Sequence, residues 1–565
     1  MTDNQNTAAA SVLALSAMFL FMIGSACTAH RAGQPEDIFT DLSNRGYRNV
    51  IVMIPDGCDG AIQTVARWYT GGGLQLDRMG TTAATVHMAN SVITGSAAAA
   101  TAFATGHKTS SRFVGVGPRT EDLLTGVEPT AAPYAPVASI LEAARLAGKA
   151  TGIVATSRVT HATPAAFASH IHDRGLDNEI MEHMVYNGID VVFGGGARHL
   201  IPSGDVYATS FGDRWKGKRS DGENLMEVLR SRGYQFVDSK DGMAGVSSGK
   251  VWGLFDDSHL DPDIDRGRSH PSQPSLAEMT GKAIDLLSRD DDGFFLVVES
   301  SQVDWAAHNN DPIYMVTEFI AFDEAVRVAC DFADRDGRTL VLAFPDHNTG
   351  GLAIGHYRTP MSYTATTIED LIGPLKGMTM TSSGLVGVMN DPKDDAELIA
   401  TVKTQWGMEI TQNDVDEIRN YALSESLSYA IAAVISNNYT VFGWTTHGHT
   451  GETVPVWIYG ADAPRGIIDN TALAKIAAAA LGVDLDTASR RLYVDLDSVT
   501  SGYDIDMDTD PANPVLTIGG ALLPISKDLL MDQERTVQLP GLTVYAPATG
   551  KVYISKDAVR LLRLP

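Results

Sequence analysis

The sequence is poor in cysteine and in basic residues, and each shortage excludes a class of protein. Only three of its 565 residues are cysteines, Cys27, Cys58 and Cys330, so the disulfide framework typical of small secreted domains is absent. Lys and Arg number 43 against 69 Asp and Glu, which gives a formal net charge of −26. Such an acidic chain disfavours non-specific nucleic-acid binding, and we expect no nucleic acid as a stable partner. With 44% hydrophobic and 20% charged residues, the chain is expected to be globular.

Long uncharged apolar runs are also rare, and the most conspicuous lies near the N-terminus. Residues 8–26 read AAASVLALSAMFLFMIGSA and end in small residues. This pattern is typical of a secretory signal peptide, although the preceding MTDNQNT contains Asp3 and neither Lys nor Arg. We expect export to the periplasm, the cell surface or the medium. Cleavage of the leader, its retention as a membrane anchor and a lipoprotein linked through Cys27 stay open.

From about residue 48 onward, short apolar runs alternate with amphipathic segments. The strand candidates include NVIVMI, ATGIVAT, DVVFGGG, FFLVVE, TLVLAF and VPVWIYG, and the segments between them include helix candidates such as LAEMTGKAIDLLS. This alternation predicts an α/β fold with a mostly parallel central sheet flanked by helices. Polar residues follow several of these runs, among them Asp56, Glu299 and Asp346. Because ligands of such sheets bind beyond the carboxyl ends of the strands, we expect the functional site there.

Changes in composition and in the pattern of apolar residues divide the chain into four parts. Residues 1–26 are interpreted as the leader, 27–47 as a linker, 48–485 as the main domain and 486–565 as a small β-rich C-terminal extension. Within the main domain, an insertion at about 353–443 is less easily assigned to the sheet and is expected to cover one side of the site. In the extension, DIDMDTD (504–510) spaces its Asp residues like a calcium loop but lacks the required Gly and Glu, so it is interpreted as an acidic turn.

The run SAAAATAFAT, which starts at Ser96, is composed of strong helix formers and is followed by Gly106, a residue suited to a C-terminal cap. Ser96 therefore lies in the first helical turn, where unpaired backbone N–H groups and the helix dipole attract anions. By itself this hydroxyl is either a helix cap or a nucleophile.

Three further segments concentrate carboxylates and imidazoles. In ESSQVDWAAH, Asp304 and His308 are spaced to lie on one face of a helix. In PDHNTGG, Asp346 and His347 are adjacent, and in an extended chain their side chains would point in opposite directions. THGHTGE places His449 in a loop before a strand. This mixture of ligand types suits zinc.

Taken in order, these segments resemble the motifs of the alkaline phosphatases over roughly residues 48–465. The matching motifs are IPDGCDG, TGSAAAATAFATG, THATPAAFASHIHDR, VVFGGGARHLIP, PSLAEMTGKAIDLL, VVESSQVDWAAH, PDHNTGG and HTGETVPVWIYG. The resemblance implies hydrolysis of phosphate monoesters through a phosphoserine intermediate, with two zinc ions and one magnesium ion. It leaves open a homodimer and membrane anchoring through the N-terminus.

Position by position, the resemblance implies a role for each matching residue. Ser96 would be the nucleophile, and Arg174 would clamp the substrate phosphate. The implied metal ligands are Asp304, His308 and His449 for the first zinc, Asp346 and His347 for the second, Asp56 bridging the second zinc and magnesium, and Thr163 and Glu299 completing the magnesium site. His447 matches no ligand and is expected to be a loop residue.

Departures from the family pattern bear on how the site is arranged. Gly95 stands where many relatives have an Asp that orients the arginine, and His161 and Trp305 stand where enterobacterial relatives have Asp and Lys. A phosphodiesterase of the same superfamily is the alternative, whereas a related sulfatase would need a different nucleophile motif. A non-catalytic zinc protein is disfavoured because no ligand and no nucleophile is missing.

Overall fold

In the computed structural model, the structure is described for residues 42–359, 363–500, 504–510, 512–533 and 535–564. The leader, Cys27 and most of the linker lie outside these residues, so their assignments stay predictions. Among the described helices, we find none that is both long enough and apolar enough to span a bilayer.

The centre of the molecule is a ten-stranded sheet in the order β16-β2-β15-β10-β1-β9-β3-β4-β8-β7. The strands of the described residues are β1 Asn49–Pro55, β2 Gly80–Thr85, β3 Ala150–Arg158, β4 Val191–Gly195, β5 Val206–Ala208, β6 Arg214–Lys216, β7 Gln235–Val237, β8 Val251–Leu254, β9 Phe294–Ser300, β10 Thr339–Ala343, β11 Asn348–Thr349, β12 Ala353–Ile354, β13 Phe442–Gly443, β14 His449–Thr450, β15 Val454–Tyr459, β16 Ile467–Asp469, β17 Val494–Asp495, β18 Ile505–Asp508, β19 Val515–Ile518, β20 Ala521–Pro524, β21 Leu529–Met531, β22 Thr536–Gln538, β23 Val544–Ala546 and β24 Lys551–Ile554. From β10 across to β7 all neighbours are parallel, and only β15 pairs antiparallel, with β10 and β2.

Helices cover both faces of this sheet. They are α1 Gly60–Thr70, α2 Ser96–Thr105, α3 Ile140–Leu146, α4 Ala162–Ala165, α5 Asp177–Asn187, α6 Leu225–Ser231, α7 Lys240–Gly245, α8 Asp263–Ser269, α9 Leu276–Leu287, α10 Gln302–His308, α11 Pro312–Asp336, α12 Ile368–Lys376, α13 Ser382–Gly387, α14 Asp395–Trp406, α15 Gln412–Tyr421, α16 Leu427–Tyr439, α17 Thr471–Leu481, α18 Leu485–Leu492 and α19 Lys556–Leu561. The predicted α/β fold with a mostly parallel central sheet is confirmed.

Two hydrophobic cores lie on opposite faces of the sheet, and β1 shows why its strands are apolar throughout. Val50, Val52 and Ile54 belong to one core, while Ile51 and Met53 belong to the other. A strand covered by helices on both faces has no solvent-facing position, so its sequence is a continuous apolar run. The six predicted strands follow this rule, whereas β2 (GTTAAT) was missed because it lacks large apolar residues.

The insertion predicted at about 353–443 consists mainly of the helices α12 to α16. Their apolar residues, including Leu375, Trp406 and Ile431, join the core that also contains α1 and α11. The backbone N–H of Ser382 donates to Asp311 Oδ2 over 2.8 Å, and Asp311 follows α10 by three residues. The insertion is therefore held close to the chain segment that supplies part of the site.

The C-terminal extension is rich in β-structure, as predicted. Strands β18 to β22 form a five-stranded antiparallel sheet. A separate three-stranded sheet has the order β17-β24-β23. Residues 505–508 of the segment DIDMDTD form β18, so the interpretation of this segment as an acidic turn was wrong. Asp alternates with Ile505 and Met507, which is the period-two pattern of a strand that has a polar face and an apolar face. This strand, β18, pairs with β19.

A buried polar network joins this extension to the main domain. The Glu142 carboxylate accepts hydrogen bonds from His170 over 3.0 Å, Asn187 over 3.2 Å and the Tyr493 hydroxyl over 2.5 Å. Although burial opposes ionisation, the His170 charge and these hydrogen bonds lower the pKa of Glu142 to about 2. A second contact is the two-pronged ion pair of Arg232 with Asp528.

We predict that Glu142→Ala destabilises the protein by about 3–5 kcal/mol, because it leaves buried donors and the His170 charge without their partner. Urea unfolding of both proteins measures the change in free energy. Glu121→Ala, at an exposed position, is the control and should change stability by less than about 0.5 kcal/mol. Equal stabilities of the two variants would contradict the network's role.

Candidate active site

The candidate site lies where β10, β1 and β9 end, three parallel strands that are neighbours in the sheet. Asp56 directly follows β1, and Glu299 lies at the end of β9. The chain bends after β10 and places Asp346 at the same edge. The short ladder of β11 with β14 pairs Thr349 with His449, which brings a residue from beyond the insertion into the site.

Ser96 is the first residue of α2, as its sequence predicts. The helix ends at Thr105, Gly106 caps it in the left-handed conformation, and all ten of its residues are buried. The N-cap residue Gly95 has no side chain to bond the first turn, so the helix start is uncapped. Ser96 Oγ lies 3.2 Å from His347 Nε2, and the residue is 2% exposed. The hydroxyl is therefore directed at the metal-ligand candidates rather than used as a cap.

The first group of ligand candidates is Asp304, His308 and His449. His308 Nε2 is 3.3 Å from Asp304 Oδ2 and 3.2 Å from His449 Nε2, and His449 Nε2 is 3.8 Å from Asp304 Oδ1. Both Asp304 and His308 lie on α10, which confirms the predicted helical spacing. Imidazole nitrogens and carboxylate oxygens this close together can bind one ion, and His347 of the second group also has a donor atom within 4.8 Å of those of Asp304 and His449.

The second group is Asp56, Asp346 and His347, and all three are fully buried. His347 Nε2 is 3.1 Å from Asp346 Oδ2 and 3.5 Å from Asp56 Oδ1. The expectation that Asp346 and His347 point in opposite directions is wrong. It assumed an extended chain, but the strand ends at Ala343 and the two residues lie in a bend.

The third group contains Asp56, Glu299 and His161, whose candidate donor atoms lie within 4.8 Å of one another. Thr163 is nearby in the short helix α4, which His161 precedes as N-cap residue. Sequence reasoning did not count His161 as a site residue. Two signals pointed to it, its position two residues before Thr163 and its departure from the family pattern.

Several buried polar atoms in these groups have no hydrogen-bond partner among the described residues. They are both carboxylate oxygens of Asp56, Asp346 Oδ2, Glu299 Oε1, Thr163 Oγ1 and His161 Nδ1. Buried polar atoms are normally paired, so a cluster of unpaired ones requires an explanation. Divalent cations would satisfy the oxygen atoms among them, which are the kind of donor that such ions take in proteins.

Crowding of the carboxylates perturbs their ionisation. Burial, reinforced by the charges of Asp346 and Asp304, raises the pKa of Asp56 well above its usual range. Burial also raises the pKa of Glu299 to about 7, although the Ser301 hydroxyl opposes it. Burial would raise the pKa of Asp304 as well, but the hydrogen bond and charge of His308 outweigh it and lower that pKa. Positive charge is thus required for all the carboxylates to ionise together.

Gly57 permits this close approach of separate segments. Its φ is +69°, and a Cβ there would lie 2.6 Å from Asp304 Oδ1. Its backbone N–H donates to Asp346 Oδ1 over 3.1 Å. A side chain at this position would separate β1 from α10 and open the site.

Arg174 is held by a histidine. Its Nη2 donates to His161 Nε2 over 2.9 Å. Burial lowers the pKa of Arg174, whereas Asp56, Asp304, Asp346 and Glu299 act to raise it. Because a guanidinium only donates, His161 Nε2 accepts, and the neutral ring has its proton on the unpaired Nδ1. His161 therefore holds the arginine in a chain whose residue before Ser96 is Gly95.

The ten site residues predicted from the sequence thus surround one buried region, although they come from positions between 56 and 449. His447 lies in the loop between β13 and β14, as expected. The family model described as alkaline phosphatase matches residues 47–483. The chain is 36% identical over 394 residues to Alkaline phosphatase 3 of Bacillus subtilis (strain 168), a match that covers 68% of this chain and 76% of that protein.

Solved structures agree with this match. The Thermus thermophilus alkaline phosphatase superimposes with a TM-score of 0.66 at 26% identity, over 78% of this chain and 92% of that one. The cold-active alkaline phosphatase of the psychrophile Shewanella sp. gives 0.63 at 27% identity, over 76% and 99%. The fold is therefore that of alkaline phosphatase-like proteins. The chain belongs to the alkaline phosphatase family, and it is an enzyme that hydrolyses phosphate monoesters.

We predict that Asp56→Ala lowers the divalent metal content by more than Glu299→Ala does, because Asp56 belongs to two of the three groups. Elemental analysis of the purified proteins measures the ions bound per chain. Asp285→Ala, on the exposed face of α9, should leave the content unchanged. Equal metal content in Asp56→Ala and the unsubstituted protein would remove Asp56 from the metal groups.

Proposed function

We propose that this phosphatase transfers the phosphoryl group of a monoester to Ser96 and then hydrolyses the phosphoserine, with two zinc ions and one magnesium ion bound. The observation that supports this best is the position of Ser96. Its hydroxyl is buried at an uncapped helix start, 3.2 Å from an imidazole of the second ligand group. A serine used only to cap a helix would bond its own first turn instead.

The residues of the three groups are proposed as the metal ligands. Asp304, His308 and His449 would hold the first zinc, and Asp346 and His347 the second, with Asp56 shared between the second zinc and magnesium. Thr163 and Glu299 would complete the magnesium site, and His161 lies beside it. When bound, such ions supply Lewis acidity at the Ser96 hydroxyl, at the leaving oxygen and at the attacking water.

The protein's own groups bind and orient the phosphoryl group. The N–H groups at the uncapped start of α2 would favour an anion beside Ser96. Arg174 presents a planar pair of donors that can bond two phosphoryl oxygens at once. A monoester keeps three non-bridging oxygens, so it can satisfy Arg174, the helix start and the metal groups together. A diester offers one oxygen fewer, which favours the monoester as substrate.

Local positive charge also accounts for anion binding by an acidic protein. The formal net charge is −26, so the molecule as a whole repels phosphate esters. Arg174, the helix start and the bound cations would reverse this field within the site. Export, suggested by residues 8–26, and a homodimer stay predictions.

We predict that Ser96→Ala abolishes the phosphoenzyme and lowers turnover of a monoester by several orders of magnitude, with the metals still bound. Phosphoenzyme trapped at acidic pH with labelled substrate, followed by peptide mapping, measures the first effect. Ser91→Ala, a serine in the loop before the helix, is the matched control and should keep its phosphoenzyme. Label recovered on another serine would refute the assignment.

We predict that Arg174→Ala is milder, because the metal groups still hold the phosphoryl group. The loss of one charged hydrogen-bonding clamp costs about 1.5–3 kcal/mol, or roughly one to two decades in kcat/KM. Arg327→Ala, on the exposed surface of α11, should be unchanged. The comparison uses one monoester and one diester. A loss confined to the diester, or no loss at all, would count against the phosphate clamp and favour the phosphodiesterase.

A further inference from the structure

His447 and His308 exchange two hydrogen bonds between ring and backbone. His308 Nδ1 donates to the His447 carbonyl, and His447 Nδ1 donates to the His308 carbonyl over 2.6 Å. The two residues are 139 positions apart in the chain. This reciprocal contact fixes the loop before β14 against the C-terminal end of α10.

The contact determines which ring nitrogen of His308 is free. A carbonyl oxygen can only accept, so both Nδ1 atoms carry a proton. The lone pair of His308 is therefore on Nε2, the atom that lies 3.2 Å from His449 and 3.3 Å from Asp304. A metal-binding imidazole needs this tautomer, and its other nitrogen normally has such a partner.

The orientation of His447 depends in turn on the insertion. The Tyr421 hydroxyl, at the end of α15, lies at hydrogen-bond distance from His447 Nε2. Since Nδ1 is the donor, Nε2 accepts from this hydroxyl. The rings of Tyr421 and of Tyr429 in α16 lie 5.9 and 5.8 Å from the His447 ring. The hydrogen bonds at Nδ1 and Nε2 together favour one orientation of the His447 ring.

A cavity lies beside this chain of contacts. Its volume is about 330 Å³, and its lining includes Tyr421, Trp444 and His447. The His447 ring is thus not enclosed by a close-packed core, and small substitutions at Tyr421 or His447 can be accommodated. Hydrogen bonds rather than packing set the position of the ring.

We propose that His447 is a positioning residue for His308, oriented by Tyr421, so that the insertion sets the tautomer of one ligand of the first metal group. The inference rests on the proposed metal-dependent function. It assigns a role to His447, which matches no ligand of the family pattern, and it gives the insertion a direct connection to the site.

The test measures the affinity of the full-length protein for zinc by competition with a chelator. In His447→Asn, the side-chain amide replaces Nδ1 and can still donate to the His308 carbonyl, whereas in His447→Gln the amide lies nearer the position of Nε2. We expect His447→Gln to weaken one zinc by about 10–100-fold and His447→Asn to retain an affinity within a few-fold of the original.

Tyr421→Phe provides a milder second variant, in which the backbone and the His447 ring are kept. It removes the Nε2 hydrogen bond that His447→Asn also loses, so it should weaken the same zinc by only a few-fold, whereas Tyr363→Phe, an exposed tyrosine of the insertion, should have no effect. Unchanged zinc affinity in His447→Gln and Tyr421→Phe would overturn the inference. Equal losses in His447→Asn and His447→Gln would also overturn it, since they would indicate packing. An unsubstituted protein that binds no zinc would overturn the proposed function as well.

Discussion

Four buried carboxylates within one small volume are the constraint on which the rest of the site depends. Asp56, Glu299, Asp304 and Asp346 are each no more than 4% exposed. Like charges this close in a low-dielectric interior raise one another's pKa strongly. They meet because β10, β1 and β9 are neighbouring parallel strands whose ends share one edge of the sheet. All four carboxylates can be ionised together only if positive charge lies within the site.

Each element around the strand ends contributes to that requirement. The imidazoles of His308, His347 and His449 lie within 4 Å of carboxylate oxygens. Arg174 lies beside His161, and the start of α2 adds its dipole. Together with bound cations they would form a locally positive site in an acidic protein. The same groups that neutralise the carboxylates are suited to binding a phosphate dianion, so stability of the site and affinity for substrate have one electrostatic origin.

Local patterns in the sequence predicted a large part of this structure. The apolar runs of β1, β3, β4, β9, β10 and β15 were recognised because strands buried on both faces leave no polar positions. The helix from Ser96 to Thr105 was recognised from its alanines and its terminal glycine. The pattern missed β2, which lacks large apolar residues, and β8, which is fully buried but only four residues long. It also failed for DIDMDTD, where composition was given more weight than the period of two.

The sequence by itself determined the alternation of strands and helices, the family and the set of residues at the site, because these depend on local spacing and on ordered motifs. Only the tertiary structure decided how those residues are grouped. The bend at Asp346 brings its side chain together with that of His347. His161 accepts a hydrogen bond from Arg174, and His447 donates one to the carbonyl of His308, 139 positions away. Most of these contacts join segments that are far apart in the chain, and no periodic pattern in the sequence indicates which segments meet. They depend on the path of the backbone in the folded protein.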